Sequence, residues 1–504
     1  MTAQIVGRIT GMVLSLGFTA LAFTHPSVTS NLQKLVVQVI EEAGYAPKDV
    51  GVFVKMVTDD SALVSINADR DYIPASITKL VTGAAALELL GLKYRFATSL
   101  YHDGRFDRLK GDIEGNLYIK GGGDPGFSAE RLWLLVQHLT HIGVKSIKED
   151  LILDDFFFDG ITTGPGYEED QTSRAYDAPV SALSANFNTI AVHVAPGGKI
   201  GAPVRITEFP KVDGVRIIST AKTVGARRAG PLRVKTTDRK GATAIVASGT
   251  MGISEAPRYV YRRTWQTWKH FGNIMTALFK QCGIEFSGSL RHYPVPDSIV
   301  DAGALYTFES EPIIRFVENM FKYSSNFAAE MLFKTVAAEY DSLPGSWESG
   351  AAVLQKWWAE RNLPGTLSVV NGSGMGRTNR LSPGQVAALL EYAHDRPTYS
   401  ADYLSALSIA GYDGTLESRF TRSPLKGVVR GKTGTLNSCG ASNLAGYMLP
   451  SGERCIFAIL INSSKISQYS HWVTQRKILE TVLKAVNKER LEKSPFLPKS
   501  PACK

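Results

Sequence analysis

Residues 74–90 read PASITKLVTGAAALELL, and the fold prediction starts from this stretch. The run after Lys79 is apolar on most faces, so it predicts a central, buried helix. Ser76 and Lys79 are three positions apart at its start, and residues at this spacing share one helical face. Burial lowers the pKa of a lysine, and a neutral lysine can take a serine proton and make a nucleophile. The helix N-terminus adds N–H groups that suit a developing oxyanion.

Two further motifs follow the first in chain order. Ser324-Ser325-Asn326 comes after a predicted helix that ends near Tyr323, and its alternative interpretation is a simple helix cap. Neither S-x-x-K nor S-x-N is specific alone, because both patterns recur in the chain. The recurrences are Ser219/Lys222, Ser423/Lys426, Ser65/Asn67 and Ser184/Asn186. Only Ser76 opens a long apolar helix.

The third motif, Lys432-Thr433-Gly434-Thr435, lies on the first of three predicted strands. The strands are predicted at Arg430–Leu436, Asn443–Leu449 and Cys455–Ile461. On an edge strand, the lysine and the hydroxyls can hold a carboxylate. Gly434 would let an extended substrate approach the backbone closely. The alternative is a surface strand with a glycine bulge.

Composition limits the class of protein. The chain has 504 residues, 44% of them hydrophobic and 20% charged, with a net charge of +9. These values exclude a disordered or fibrous protein, and the length predicts two or three domains. Four cysteines are too few for a disulfide framework. A mean hydropathy of −0.05 excludes a membrane protein with many spans.

The N-terminal segment resembles a secretory signal. Arg8 precedes an apolar run, and the run ends in the small-x-small pattern Ala20-Leu21-Ala22. This run is shorter than the ~20 residues that a membrane span needs, although an uncleaved anchor stays open as the alternative. We therefore predict a signal peptide at 1–22 and an exported, periplasmic protein.

The ordered set S-x-x-K, S-x-N and K-T-G is typical of serine penicillin-recognising enzymes. The chain resembles the D-alanyl-D-alanine carboxypeptidase/endopeptidase family, peptidase S13, from about residue 35 to 465. The separation of 248 positions from Ser76 to Ser324 matches the long insertion of that family. Four further segments resemble family motifs. They are residues 121–125 (GGGDP), 371–374 (NGSG), 381–383 (LSP) and 411–416 (GYDGTL).

The resemblance implies an α/β fold: a serine β-lactamase/transpeptidase-like domain, with an antiparallel sheet and flanking helices, interrupted by a large β-rich insertion. We expect the catalytic domain to be split between 23–97 and 300–485. The inserted region is predicted at 98–299, with a possible nested β lobe at about 199–250. A flexible basic tail is predicted at 486–504.

The resemblance also implies roles for individual residues. Ser76 would be the acylated nucleophile, with Lys79 as its base. The other roles are a proton relay to the leaving D-alanine (Ser324, with Lys432), a substrate amide contact (Asn326), a carboxylate site (Lys432, Thr433 and Thr435) and an oxyanion hole (the backbone N–H groups of Ser76 and Thr435). The implied partners are peptidoglycan stem peptides and β-lactam antibiotics. No cofactor and no metal are implied.

Two other activities stay open on the sequence. A β-lactamase would use the same acylation groups but release penicillin rapidly, and the long insertion argues against it. A catalytically idle wall-binding protein would not need the intact motif residues.

Other features have weaker interpretations. His138 and His141 have a metal-like spacing without an obvious third ligand. Residues 121–126 match a nucleotide-binding glycine pattern, but Pro125 removes a backbone donor, so a tight turn is preferred. Export argues against nucleic acid as a partner of the aromatic and basic run 259–271. The basic run 222–240 could contact an anionic wall polymer or an acidic partner, but charge runs usually face solvent. A peripheral contact of the protein with the wall or a membrane surface also stays open.

Overall fold

The computed structural model describes residues 26–167, 172–341, 343–450 and 453–493. The predicted signal peptide at 1–22 and the end of the predicted tail, 494–504, lie outside these residues. The helices are α1 Pro26–Glu42, α2 Thr78–Leu89, α3 Ala129–Ile142, α4 Thr267–Cys282, α5 Asp297–Asp301, α6 Ile313–Lys322, α7 Asn326–Tyr340, α8 Trp347–Glu360, α9 Pro383–His394, α10 Ser400–Ala406 and α11 Gln468–Lys493.

The strands form several sheets that are described below. Their bounds are β1 Val50–Met56, β2 Ala62–Ile66, β3 Ala97–His102, β4 Phe106–Asp107, β5 Asp112–Ile113, β6 Leu117–Gly121, β7 Ser146–Ile147, β8 Leu151–Asp154, β9 Thr189–Ala195, β10 Arg205–Phe209, β11 Val215–Ser219, β12 Lys222–Val224, β13 Arg233–Asp238, β14 Thr243–Ser248, β15 Thr250–Gly252, β16 Arg258–Arg263, β17 Glu285–Phe286, β18 Leu290–His292, β19 Tyr306–Glu309, β20 Ser408–Ile409, β21 Val429–Leu436, β22 Ala441–Met448 and β23 Cys455–Asn462.

A six-stranded antiparallel sheet in the order β2-β1-β23-β22-β21-β20 holds the first and last parts of the chain together. The three strands predicted near the C-terminus are confirmed as β21, β22 and β23. Both faces of strand β23 are buried in hydrophobic cores. Ile456 and Leu460 face the core that contains α2, whereas Phe457 and Ile459 face the core that contains α1 and α11. Burial on both faces explains why this strand reads as one continuous apolar run.

The buried central helix is confirmed as α2. Its residues from Thr78 to Leu87 are all buried. A side chain at Gly83 would lie 2.5 Å from the Phe321 ring, so a glycine is needed for α6 to pack this closely. The helix starts later than predicted, because a 3₁₀ turn, Ala75–Ile77, precedes it. Ser76 therefore lies in this turn.

The strands between residues 97 and 309 form sheets of their own. One has five strands, in the order β18-β8-β6-β3-β19, and another has four, in the order β17-β7-β5-β4. Helices α3 and α4 pack against them around a separate core. We propose that the insertion is 97–309 rather than 98–299, because β19 pairs with β3.

A nested lobe interrupts this insertion. Strands β9 to β16 form three small sheets, and their inward residues share one further core. We propose the bounds 189–263 in place of about 199–250, because β9 and β16 pair directly. The distance between these strands along the chain hides their pairing from local patterns.

The C-terminal helix α11 runs through the first part of the predicted tail, because it ends only at Lys493. Within the four described ranges, no helix is long and apolar enough to cross a membrane.

Candidate active site

Ser76 lies half-buried in the turn before α2, in a strained segment of backbone. The residue before it, Ala75, has a φ of +47°, which is rare for a residue with a side chain. Gly374, with a φ of +77°, packs directly against the carbonyl group of Ala75, and a Cβ there would overlap that oxygen. The NGSG segment therefore helps to hold the serine in place. Strain of this kind is often found at functional sites.

We expect Gly374→Ala to destabilise the protein by more than ~2 kcal/mol and to impair acylation, since it combines a left-handed backbone with an overlap against Ala75. Thermal unfolding followed by circular dichroism, together with the rate of penicillin labelling, checks this result. Gly198→Ala is the matched control, because a Cβ added at Gly198 would meet open space and the backbone φ of Gly198 is not positive. Equal melting temperatures for the two variants would contradict the proposed contact.

Lys79 is fully buried on α2 and reaches three oxygens. Its Nζ lies 2.8 Å from Ser76 Oγ, and it donates to Asn326 Oδ1 at 2.8 Å and to the Ser373 carbonyl at 2.7 Å. Burial lowers the pKa of Lys79 to about 7, against an opposing effect of the Glu330 carboxylate. At neutral pH, a large fraction of this amine is therefore uncharged and able to accept a proton.

A second serine and lysine pair lies beside the first. Lys432 Nζ donates to Ser324 Oγ at 2.9 Å and to the Thr433 carbonyl at 2.9 Å. Burial holds the pKa of Lys432 well below its usual value, and the nearby charge of Lys79 lowers it further. The structure thus brings together the three motifs that are far apart in sequence.

The S-x-N segment has both a structural and a site-facing part. Ser325 caps α7, because its side chain accepts from the backbone N–H of Ala328 at 3.2 Å. Ser324 has a φ of +58° and points to Lys432, while Asn326 points to Lys79. The helix-cap interpretation is therefore right for the middle residue.

The connection before Ser324 is anchored by a partly buried ion pair. Lys322 Nζ donates to Asp413 Oδ2 at 2.7 Å and to the Leu407 carbonyl at 3.1 Å. This contact links the end of α6 to the GYDGTL segment. The same segment supplies Thr415, whose hydroxyl accepts from Thr433 Oγ1 at 2.9 Å. The sequence motif alone gave no reason to expect either contact.

Strand β21 has a neighbour on its outer side only at its start, so the predicted edge applies to Lys432–Thr435, where no described strand pairs on that side. The two-residue β20 pairs with Arg430 and Gly431. Gly434 is also constrained by a contact that the sequence did not predict. A Cβ at Gly434 would lie 2.5 Å from the Pro74 carbonyl oxygen and 3.0 Å from Ile77 Cγ1. The glycine therefore lets β21 approach the chain's own turn around Ser76, while Thr435 is exposed.

Glu330 is a site residue that the sequence reasoning missed. It is only 1% exposed, on α7 one turn after Asn326. Its carboxylate accepts from the backbone N–H groups of Gly372 and Ser373, both at 3.0 Å. Trp347 Nε1 and the Tyr167 hydroxyl also donate to it, at 2.8 and 3.2 Å. A lone acid within the apolar run of α7 was the available signal.

One of the two histidines with metal-like spacing, His138, packs against an aromatic ring. His138 stacks on the ring of Tyr306, with the ring centres 4.7 Å apart. Among the described residues, no group of three or more histidine, cysteine or acidic side chains could hold a metal ion.

Comparison with known proteins then decides the family. The model of the D-Ala-D-Ala carboxypeptidase 3 (S13) family matches residues 32–481. The chain belongs to this family. A curated relative is the D-alanyl-D-alanine carboxypeptidase of Actinomadura sp. (strain R39), which is 28% identical over 457 residues, or 88% of this chain and 83% of the relative. The predicted enzyme class, a serine-type D-Ala-D-Ala carboxypeptidase of family S13, is confirmed at the family level.

Solved structures agree on the fold. Penicillin binding protein 4 (dacB) from Haemophilus influenzae superimposes with a TM-score of 0.78 at 24% identity, covering 89% of this chain and 99% of that one. The same protein complexed with a novel β-lactam gives 0.70 at 23% identity, covering 91% and 98%. The predicted fold class is therefore confirmed.

Proposed function

We propose that this S13 enzyme trims or opens peptidoglycan stem peptides through an ester on Ser76, and that penicillin acylates the same oxygen. The observation that carries the assignment is the buried Lys79 amine 2.8 Å from Ser76 Oγ, with a pKa near 7. Without such a base a serine hydroxyl is a weak nucleophile at neutral pH.

Acylation starts when neutral Lys79 takes the Ser76 proton. Ser76 Oγ then attacks the carbonyl carbon of the penultimate D-alanine. The negative charge on the carbonyl oxygen is stabilised by the backbone N–H groups of Ser76 and Thr435. The C–N bond to the terminal D-alanine breaks, and its nitrogen receives a proton through Ser324, which Lys432 holds at 2.9 Å. Water later hydrolyses the ester, which releases the shortened peptide and restores the serine.

The remaining residues bind the substrate. Asn326 is suited to hold a peptide amide, because its amide group already bridges Lys79 and the Tyr176 carbonyl. Lys432, Thr433 and Thr435 are suited to hold the terminal carboxylate. In penicillin, the strained lactam carbonyl takes the place of the D-alanine carbonyl, and ring opening leaves the drug attached.

One assay separates this function from its alternatives. The purified enzyme is mixed with a synthetic stem pentapeptide, and free D-alanine is measured; penicillin is followed in a parallel tube. Release of D-alanine, together with slow loss of the penicillin ester, supports the proposal. Rapid destruction of penicillin without D-alanine release would favour a β-lactamase, whereas no reaction in either tube would favour an idle wall-binding protein.

We further propose that the enzyme is exported to the periplasm after cleavage at about residue 22. The charged start, the short apolar run and Ala20-Leu21-Ala22 support this. Peptidoglycan lies in that compartment. The N-terminal sequence of the protein recovered from the periplasm is the direct test of the cleavage.

We expect Glu330→Gln to move the acid limb of acylation to lower pH. Acylation needs the uncharged form of Lys79, so its rate should rise with pH through about 7. The Glu330 carboxylate keeps the pKa of Lys79 higher than burial alone would. Removing this charge therefore lowers the pKa of Lys79. The pH profile of penicillin acylation, measured as the second-order rate constant, checks the shift.

The matched control for this pH shift is Glu339→Gln, which removes the same charge from an exposed site on α7. We expect its profile to be unchanged. If Glu330→Gln lowers the rate equally at every pH, Glu330 acts only by holding the backbone of Gly372 and Ser373, and the electrostatic role is wrong.

A further inference from the structure

The nested β lobe, residues 189–263, accounts for the net positive charge of the whole protein. It contains 14 Lys and Arg residues and only four Asp and Glu residues, a net charge of +10, whereas the complete chain carries +9. The rest of the chain is therefore close to neutral. Only part of this excess falls within the run 222–240, so the sequence pattern understated it.

Most of these cations face solvent without an acidic partner. Twelve of the 14 are exposed. They are Lys199, Arg205, Lys211, Arg216, Lys222, Arg227, Arg228, Arg233, Lys235, Arg239, Lys240 and Arg258. Among the described residues, Arg258 is the one member of this set with an ion pair, to Glu255 at 2.9 Å. An ordinary solvated surface mixes both signs of charge, whereas this lobe has 14 basic residues against four acidic ones.

The cations lie on more than one face of the lobe. Arg233 and Lys235 alternate with the buried Val234 on β13, so both point away from the core. Arg216 on β11 lies on the same outer face, because it is paired with Ala244, which is opposite Thr237 of β13. Arg205 lies on β10, in the sheet that covers the other side of the same core.

We propose that this lobe is a docking surface for a flexible polyanion, such as a wall polymer with repeating phosphate groups. Crowded like charges repel one another, and a bound polyanion relieves that repulsion while releasing its counterions. A flat lipid surface would contact only one face of the lobe at a time. A flexible chain can follow cations around several faces of the lobe, and the cations of this lobe do lie on more than one face. The inference does not depend on the proposed acylation of Ser76.

The test measures binding of the full chain to long-chain inorganic polyphosphate at several salt concentrations. The variant Arg216→Glu/Arg233→Glu/Lys235→Glu reverses three exposed cations on one outer face. We expect it to bind at least ten-fold more weakly than the wild type and to have a shallower salt dependence. The control, Lys93→Glu/Lys110→Glu/Arg422→Glu, makes the same change in net charge at exposed positions outside the lobe. We expect this control to bind within about two-fold of the wild type.

Three results would overturn the proposal. They are no binding of polyphosphate by the wild type, an equal loss in both triple variants, or stronger binding to phosphatidylglycerol vesicles than to polyphosphate. The first removes the site, the second assigns binding to net charge alone, and the third assigns the surface to a membrane. Thermal unfolding curves should be unchanged in both variants. This control reports correct folding without relying on the proposed function, so the two tests stay separate.

Discussion

Ser76→Ala is expected to lower the rate of D-alanine release by ~10⁴-fold or more and to leave the fold intact. The change removes the one oxygen that forms the proposed ester. The backbone of the turn is held by other groups, namely the contact of Gly374 with Ala75 and that of Gly434 with Pro74. The release assay and a thermal unfolding curve measure the two effects separately.

Ser219→Ala is the matched control for the nucleophile. Ser219 and Lys222 have the same S-x-x-K spacing, but Ser219 lies at the exposed end of β11, far along the chain from the other motifs. This variant should keep full activity. A Ser76→Ala protein that still releases D-alanine at a rate near the wild type would exclude Ser76 as the acylated residue.

Lys79→Met is expected to reduce acylation by ~10³-fold or more, both with the stem peptide and with penicillin. Methionine is similar in length and suits a fully buried position, but it cannot accept the serine proton. The oxygens of Asn326 and Ser373 also lose a donor, so some loss of stability accompanies the loss of rate. Stopped-flow measurement of acylation by a fluorescent penicillin gives the rate directly.

Lys55→Met controls for the loss of a buried lysine as such. Lys55 is 6% exposed on β1 and donates to Glu391 at 2.5 Å, outside the site. We expect this variant to lose stability and to keep its acylation rate once folded. An equal rate loss in both lysine variants would show that Lys79 acts through stability and not as a base.

Local patterns were enough to predict the central elements of the fold. The apolar runs after Lys79 and at Cys455–Asn462 became α2 and β23, because burial on all sides leaves a clear apolar signature. The two strands before β23 were also predicted, although β21 contains charged and exposed residues. The order of the three motifs predicted the family, which the comparison with known proteins confirmed. Each motif is recognisable in the sequence because its residues lie within four positions of one another.

Features that depend on contacts between distant segments could not be predicted. The packing of Gly434 against Pro74 and Ile77, which are about 360 positions earlier, was not expected from the sequence. Glu330 was missed because its partners, Gly372 and Ser373, come from another loop. The pairing of β9 with β16, on which the proposed lobe boundaries rest, was missed for the same reason. Long-range pairing leaves no periodicity in a single sequence.

The central claim is that Ser76 is the acylated nucleophile. The most direct measurement is a mass spectrum of the purified enzyme after brief exposure to a penicillin, followed by proteolysis and sequencing of the labelled peptide. The account predicts one added penicillin mass, on Ser76, in the wild type and in Ser219→Ala, and none in Ser76→Ala. An adduct on any other residue, or one that persists in Ser76→Ala, would contradict it.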